Sequence, residues 1–170
     1  MLTPDFYFRR ITDTTPQFFE ENGIHALLLD ADGTLTPDGV KVLSDDVLKW
    51  MTEVRAAGIE MALVSNNAEE RVRPFADRYG LPYVSKAGKP SARCADEAVR
   101  AAGAPRSQTA AVGDQFFTDV LFAKNAGIMS ILVDPMAADI YPFVKFKRFF
   151  ERPLRRRVHR NGPGRQKRSR

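Results

Sequence analysis

Short apolar runs alternate along this chain with longer stretches whose apolar positions recur every three to four residues. The runs are too uniformly apolar for strands with one face in water, so we interpret them as strands buried on both faces. Five of them occur, at residues 24–29, 61–64, 83–84, 109–112 and 128–133. Because helical stretches separate them, the pattern predicts an α/β, Rossmann-like fold with a parallel sheet of about five strands flanked by helices.

The helical stretches carry sequence signals for their ends. Ser44 is a typical N-cap, the two acids after it suit the positive end of a helix dipole, and Gly58 ends the segment. Pro90 fits the first turn of a later helix, which Gly103 would end. Pro74 lies inside another helical stretch and predicts a kink or a late start. We therefore expect helices near residues 45–57, 67–80, 90–102 and 118–125.

Polar residues of the kinds used in catalysis stand at or just beyond the carboxyl ends of four predicted strands. Ligands of open parallel sheets bind at that edge. Each residue alone could belong to an ordinary turn or helix cap, but four groups in register with four strands are hard to obtain by chance. The candidates are Asp30, Asp32 and Gly33 after the first strand, Ser65 and Asn66 after the second, Lys89 beyond the third, and Asp114 and Asp119 after the fourth.

These residue types fit phosphoryl transfer, which needs an in-line nucleophile, neutralised phosphate charge and a proton for the leaving oxygen. Asp30 is the candidate nucleophile and would form an aspartyl-phosphate. Asp32 is the candidate general acid, and later the base that activates water. Lys89 would supply a fixed positive charge to the transition state. The sequence therefore predicts a phosphomonoesterase.

The phosphate would also need hydrogen-bond donors around it. We predict that the hydroxyl of Ser65, the neighbouring Asn66 and free backbone N–H groups at Gly33 contact the phosphate, together with Asp30 and Lys89.

The crowded carboxylates would repel one another unless a divalent cation neutralised them. Oxygen-only ligands favour Mg²⁺, which keeps several waters and takes a substrate phosphate as a further ligand. We predict that Asp30, Asp32 and Asp114 hold this ion. Asp119 would hold a metal-bound water or orient Lys89.

Composition suits one globular domain, but the charge is unevenly distributed. Apolar residues make up 44% of the 170 and charged residues 28%. Residues 145–170 contain twelve basic residues and one acid, whereas residues 1–144 contain fourteen basic residues and twenty acids. We predict a catalytic domain over residues 1–154 and a basic, disordered tail over residues 155–170, and such a tail suits a polyanion.

No apolar run in the sequence approaches the ~20 residues that span a bilayer. The N-terminus lacks the pattern of a secretory signal peptide, and the single cysteine, Cys94, cannot form an internal disulfide. We therefore expect a cytoplasmic protein that can lie peripherally on the inner membrane face.

The candidate residues resemble the four motifs of the haloacid dehalogenase (HAD) superfamily. Residues 30–35 (DADGTL) resemble its first motif, residues 64–67 (VSNN) the second, Lys89 the third, and residues 113–119 (GDQFFTD) the fourth. Over residues 1–155 the chain is similar to the YqeG-like family of HAD subfamily IIIA. That resemblance implies a magnesium-dependent phosphatase, because an Asp at the position of Asp32 marks phosphatases rather than dehalogenases.

The resemblance also bears on the substrate. Some bacterial, plastid and yeast members of the YqeG-like family are associated with phosphatidylglycerophosphate phosphatase activity, which implies a lipid phosphate as substrate. The family's first motif usually reads DLDNT, so Gly33 here is a departure that affects substrate preference. Only 33 positions separate Asp32 from Ser65, and 24 separate Ser65 from Lys89, so neither interval can hold a HAD cap domain. An uncapped site is open to bulky or surface-embedded substrates.

The C-terminal segment alternates aromatic and basic positions at helical spacing. We expect a final helix with Phe143, Phe146, Phe149, Phe150 and Leu154 on one face and Lys145, Arg148, Arg152 and Arg155 on the other. Its aromatic face could pack on the sheet, or the helix could lie on an anionic membrane. RNA is the second polyanion that the basic residues suit.

Three functional hypotheses follow from these features. The first is a lipid-phosphate monoesterase, acting on phosphatidylglycerophosphate at the cytoplasmic membrane face. The second is a phosphatase of a soluble sugar phosphate or nucleotide, which would need a partner subunit to close its open site. The third is an RNA- or ribosome-associated factor that uses the basic tail. The sequence does not indicate the oligomeric state.

Overall fold

A computed structural model describes residues 2–137 and 142–166 of the chain. It contains a seven-stranded sheet, which confirms the predicted α/β class with a mostly parallel sheet. The strands are β1 (Phe6–Phe8), β2 (Ala26–Leu29), β3 (Glu60–Val64), β4 (Tyr83–Val84), β5 (Thr109–Gly113), β6 (Met129–Val133) and β7 (Gly164–Arg165). The helices are α1 (Pro16–Glu21), α2 (Asp45–Ala56), α3 (Glu69–Tyr79), α4 (Ala95–Ala101), α5 (Leu121–Ala126) and α6 (Pro142–Asn161). A π-helical turn, Phe116–Val120, leads directly into α5.

The strand order across the sheet is β4-β3-β2-β5-β6-β1-β7. Six strands are parallel, and β7 pairs antiparallel with β1. All five predicted strands are present, and β2 and β5 lie side by side at the centre. We did not predict β1, which is a short aromatic run, or β7, whose glycine and arginine do not form an apolar run.

Both faces of the sheet are covered, as the apolar strands predicted. From β2, Leu27 and Leu29 point to one face, where they pack with α1, α2 and α3, while Ala26 and Leu28 pack with α4 and α5 on the other. The second face is rich in alanine, which lets its helices approach the sheet closely. Burying each leucine side chain contributes about 1.5–3 kcal/mol. These two layers fix the carboxyl edge of the sheet in place.

One predicted helix begins later than expected. We expected it from Pro90, but α4 begins at Ala95, because the backbone before it is bonded elsewhere. The side chain of Asn66 donates to the carbonyl of Lys89 and accepts from its N–H, at 2.9 and 2.7 Å. Asn125 donates to the carbonyl of Pro90 at 2.9 Å. The segment therefore forms a loop that presents Lys89.

The C-terminal segment differs from our expectation in two ways. Residues 155–161 are helical and β7 follows them, so at least residues 155–166 are not a disordered tail. They are ordered because Val158 is buried and β7 completes the sheet edge. Residues 167–170 lie outside the described part of the chain, and the division at residue 154 stays a prediction.

The structure does not separate the aromatic and basic faces that we predicted for α6, because Leu154 packs against the core and Arg152 is exposed beside the aromatic rings. Phe146, Phe149 and Phe150 are 63%, 58% and 52% exposed, whereas the side chains of Arg148 and Arg155 are only 12% and 13% exposed. The arginines lie inward because buried carboxylates there attract them more strongly than the sheet attracts the aromatic rings. The side chain of Phe143 lies outside what the structure describes.

Asp5 joins both termini to the body of the sheet. One oxygen of its carboxylate pairs with Lys124 of α5 at 2.8 Å, and the other accepts from the N–H and hydroxyl of Ser130 in β6, at 2.9 and 2.7 Å. Its carbonyl accepts from Gln166 beside β7 at 2.8 Å. Burial opposes ionisation, but Lys124 and Ser130 outweigh it and hold the pKa of Asp5 below its usual value.

We expect Asp5→Ala to lower the free energy of unfolding by about 2 kcal/mol, since it removes hydrogen bonds to a charged group. The carboxylate is favoured in the folded state, so its contribution is present above the unfolded pKa and is lost as the pH falls through the folded pKa. Chemical denaturation across this pH range measures the effect. Glu53→Ala, at an exposed surface pair with Lys49, is the control and should change stability little. Equal stability of the two variants at neutral pH would contradict this role for Asp5.

Candidate active site

Three carboxylates meet at the carboxyl edge of the central strands. Asp30 directly follows β2, Asp114 directly follows β5, and Asp119 lies in the π-helical turn that comes next. One oxygen from each lies within 4.8 Å of the others. Because β2 and β5 are neighbours in register, two residues far apart in sequence are held side by side. This is the clustering that the strand-end argument predicted for Asp30 and Asp114.

Lys89 joins two of these carboxylates. Its ammonium donates to Asp30 Oδ1 at 2.7 Å and to Asp119 Oδ1 at 2.6 Å. The side chains of Lys89 and Asp119 are only 4% and 5% exposed, and that of Asp30 is 13% exposed. These two ion pairs hold the side chain of Lys89 in the site. The structure thus brings together the predicted nucleophile and the predicted cation, and Asp119 contacts Lys89 as well.

Burial shifts the protonation of the cluster. It raises the pKa of Asp30 far above its ordinary range, and the charges of Asp119 and Asp114 raise it further, while Lys89 opposes the shift. Burial also raises the pKa of Asp114, against the opposing charge of Arg148. Burial alone would lower the pKa of Lys89, but Asp119 and Asp30 raise it above its ordinary value. One lysine therefore does not neutralise the three acids.

Two glycines make room for these carboxylates. At Gly33, where φ is +82°, an added Cβ would lie 2.5 Å from Asp114 Oδ2, and at Gly113 an added Cβ would lie 2.2 Å from Asp119 Cγ. The N–H of Gly33 itself donates to the carbonyl of Thr36 at 2.7 Å, so the predicted phosphate contact of backbone N–H groups at this turn stays a prediction for its other residues. Gly33 serves the site through its backbone shape and its lack of a side chain.

Asp32 lies apart from the carboxylate cluster. Its side chain accepts from Arg71 Nη2 at 3.0 and 3.1 Å and from Asn67 Nδ2 at 2.9 Å. The structure thus does not bring its carboxylate to the group that we predicted as metal ligands, and Asp119 takes that place. The reason is local, because the turn after β2 points Asp30 and Asp32 in different directions. Asp32 lines a cavity instead, where a general acid could meet a leaving group.

This cavity has a volume of about 440 Å³ and adjoins the site. Its walls include Ala31, Asp32, Ser65, Asn67, Arg71 and Phe75. Apolar and polar side chains alternate around it, as is typical of a small-molecule site. Asp32 thus forms part of the wall of a cavity that is large enough for a small molecule.

The two remaining predicted phosphate contacts have different surroundings. Ser65 is buried, lines the cavity, and accepts a hydrogen bond from the N–H of Asn67 at 3.1 Å. Asn66 instead uses its side-chain amide on the backbone of Lys89. The predicted phosphate contact from that amide is thus not supported, since both of its polar groups hold the lysine loop in place.

A second charged group that we did not predict reaches the site from α6. Arg148 pairs with Asp114 Oδ2 and donates to the Asp114 carbonyl, which also accepts from Arg155. Glu151, which is fully buried, lies between these arginines and accepts from the N–H of Phe117 at 3.2 Å. One feature of the sequence pointed to this group. Between positions 142 and 161 there are eight Lys and Arg residues and a single acid, Glu151.

The cluster fits a divalent cation on the grounds of its own atoms. Asp114 is 1% exposed, and its Oδ1 has no hydrogen-bond partner among the described residues. A buried carboxylate oxygen without a donor is costly unless an ion satisfies it. Asp30, Asp114 and Asp119 offer only oxygen, which suits a hard cation. These three residues could hold a metal ion.

Because burial raises the pKa values of Asp30 and Asp114, protons compete with a metal for the site. The acids must be ionised to bind the ion, so we expect metal affinity to fall as the pH is lowered through the raised pKa values. Metal binding should also release protons. Calorimetric titration of Mn²⁺ at several pH values, in buffers that differ in ionisation enthalpy, measures both effects. An affinity that does not change with pH, with no proton release, would contradict the assignment of these carboxylates.

Comparison with known proteins gives consistent results. Residues 40–127 match the model of a family described as haloacid dehalogenase-like hydrolase. The chain is 31% identical over 159 residues to the probable phosphatase YqeG of Bacillus subtilis (strain 168), covering 94% of this chain and 92% of that protein. It is 24% identical over 137 residues to the chloroplastic/mitochondrial phosphatidylglycerophosphate phosphatase 1 of Arabidopsis thaliana, covering 75% of this chain and 39% of that protein.

A solved structure shares the fold. The cobalt-bound deoxy-D-mannose-octulosonate 8-phosphate phosphatase of Haemophilus influenzae aligns with a TM-score of 0.53 at 19% identity. The alignment covers 74% of this chain and 75% of that one. At this identity the likeness concerns the fold alone.

Proposed function

The chain belongs to the haloacid dehalogenase-like hydrolase family and is a phosphatase of phosphoric monoesters, and we propose that it is magnesium-dependent and works through an aspartyl-phosphate on Asp30. The observation that carries this proposal is the contact of Lys89 with both Asp30 and Asp119, beside an oxygen of Asp114 that has no hydrogen-bond partner in the described part of the chain. A buried carboxylate held by a cation at a strand end is placed for attack on an incoming phosphate.

The reaction divides between the two aspartates of the first motif. A carboxylate oxygen of Asp30 attacks phosphorus, the bond from phosphorus to the ester oxygen breaks, and Asp32 donates a proton to the leaving alkoxide. Asp32 then accepts a proton from a water molecule that attacks the phosphorus, which frees Asp30 and inorganic phosphate. Lys89 balances charge on the phosphate oxygens through both steps.

A divalent ion would be held by Asp30 and Asp114, with Asp119 close by. When bound it supplies charge neutralisation for the phosphate oxygens. We assign Mg²⁺ because the donor set is all oxygen. Asp119 keeps Lys89 directed at Asp30, and the loop held by Asn66 keeps Lys89 within reach of the site.

We expect Asp30→Asn to lower phosphate release by about three orders of magnitude or more, because the amide is not a nucleophile. Release of phosphate from 4-nitrophenyl phosphate in Mg²⁺ measures this. Asp77→Asn, at an exposed carboxylate on α3, is the matched control and should keep wild-type activity. Substantial turnover by Asp30→Asn would refute the assignment of the nucleophile.

We further propose a lipid phosphate as substrate, with phosphatidylglycerophosphate as the first candidate. The similarity to a phosphatidylglycerophosphate phosphatase of Arabidopsis thaliana supports it. So does the short spacing around the site, since only α2 and β3 lie between Asp32 and Ser65, and only α3 and β4 between Ser65 and Lys89. An open site can accept a headgroup that stays attached to a bilayer.

The outer surface of α6 also supports a membrane substrate. Phe146, Phe149 and Phe150 stack edge-to-face and lie in water, and exposed Lys145 and Arg152 flank them. The one acid of this helix, Glu151, is buried, so the exposed charge beside the rings is positive. Each basic residue near an anionic surface contributes about 1 kcal/mol. Within the described residues, no helix has the length and apolar content to cross a bilayer. From the exposed rings and basic residues, we propose peripheral attachment through this face.

The test compares substrates and surfaces. We expect Phe149→Ser/Phe150→Ser to lose most co-sedimentation with vesicles of phosphatidylcholine and phosphatidylglycerol, and most turnover of phosphatidylglycerophosphate in them. Hydrolysis of soluble 4-nitrophenyl phosphate should stay unchanged. Leu48→Ser, at an exposed apolar residue of α2, is the control and should bind vesicles normally. Turnover by the wild type of soluble sugar or nucleotide phosphates alone would refute the lipid assignment.

A further inference from the structure

The inner face of α6 is built around Asp114. Arg148 contacts it twice, through Nη2 to the carboxylate oxygen Oδ2 and through Nη1 to the main-chain carbonyl, and Arg155 Nη2 donates to the same carbonyl. Asp114 is 1% exposed and Arg148 12% exposed, so these contacts are shielded from water. Three charged donors thus fix both the backbone and the side chain of one aspartate.

We propose that Arg148 is a positioning residue, which holds Asp114 so that its other carboxylate oxygen is presented to the metal ion. The guanidinium occupies Oδ2, and Oδ1 is buried with no hydrogen-bond partner among the described residues. Because the guanidinium is planar, the contact of Nη1 with the main-chain carbonyl fixes the direction from which Nη2 meets the carboxylate, and so restricts the rotation of that carboxylate. The inference rests on the proposed metal-dependent function, and it makes α6 one wall of the metal site.

Arg148 could instead act as a cation that competes with the metal for Asp114. The charges nearby argue against competition. Glu151 lies 3.4 Å from Arg148 and is fully buried, and Asp134 lies 3.2 Å from Arg155. Each arginine is thus matched by an acid other than Asp114, so Arg148 adds little net positive charge against an incoming ion.

Glu151 also connects this group to the other side of the cluster. Its Oε1 accepts from the N–H of Phe117 at 3.2 Å, in the turn that carries Asp119. The contact holds α6 against this turn and so fixes the distance between Arg148 and Asp114. Removing Arg148 alone would leave Glu151 buried with less compensation and could destabilise the fold. A test therefore needs a variant that removes both charges together.

The experiment measures Mn²⁺ binding to the full chain by electron paramagnetic resonance of the free ion, without substrate. Partners that orient a metal ligand change metal affinity by about 10–100-fold when they are removed. We expect Arg148→Gln, Arg148→Lys and the double variant Arg148→Gln/Glu151→Gln each to weaken binding within that range. Arg156→Gln, at an exposed arginine of the same helix, is the matched control and should bind like the wild type. Thermal unfolding monitors the fold of each variant.

The outcomes separate this inference from the proposed function. Tighter binding in Arg148→Gln would show competition and overturn the inference, as would wild-type affinity in the double variant, since charge balance alone would then explain the single variant. Unchanged binding in all three would also overturn it. A wild-type protein that binds no Mn²⁺ would instead refute the metal-dependent function itself.

Discussion

The ammonium group of Lys89 lies between two carboxylates in a part of the molecule from which water is almost excluded. Removing one partner from such a buried group typically costs about 3–5 kcal/mol, because the remaining charges lose their compensation. The site therefore exists only when the loop carrying Lys89, the end of β2 and the turn carrying Asp119 all take their places together. The other features of the site hold these three segments in place.

Several neighbouring residues position the segments of the site without touching a substrate. Asn66 uses its amide to hold the backbone of Lys89, and Gly113 leaves room for Asp119. One lysine cannot balance the negative charge of the three acids, and a metal ion would supply the rest. Arg148 reaches Asp114 Oδ2 from α6, and the other oxygen of Asp114 has no hydrogen-bond partner among the described residues.

Much of this could be predicted from the sequence, for physical reasons. Strands buried on both faces give unbroken apolar runs, so β2, β3, β5 and β6 were found. Parallel strands place their carboxyl ends at one edge, which brought Asp30, Lys89 and Asp114 to one site. The family resemblance then gave the class of chemistry, and the comparisons confirmed it.

The features that the sequence did not reveal are the directions of side chains and the contacts between residues far apart in sequence. Two residues of one tight turn can face different ways, so the spacing of Asp30 and Asp32 could not show that Asp32 turns to Arg71. The N–H of Gly33 has a partner three residues ahead, which no motif records. The amphipathic pattern of α6 indicated two faces but not which is inward, because the deciding partner is Asp114, 34 positions before Arg148.

Anomalous X-ray scattering of Mn²⁺, in crystals of the full chain grown with that ion, tests this site most directly. We expect one strong peak at the carboxyl edge, coordinated by Asp30 and Asp114, with Lys89 still contacting Asp119. A peak held by the carboxylate of Asp32, or no peak between Asp30 and Asp114 at saturating Mn²⁺, would contradict it.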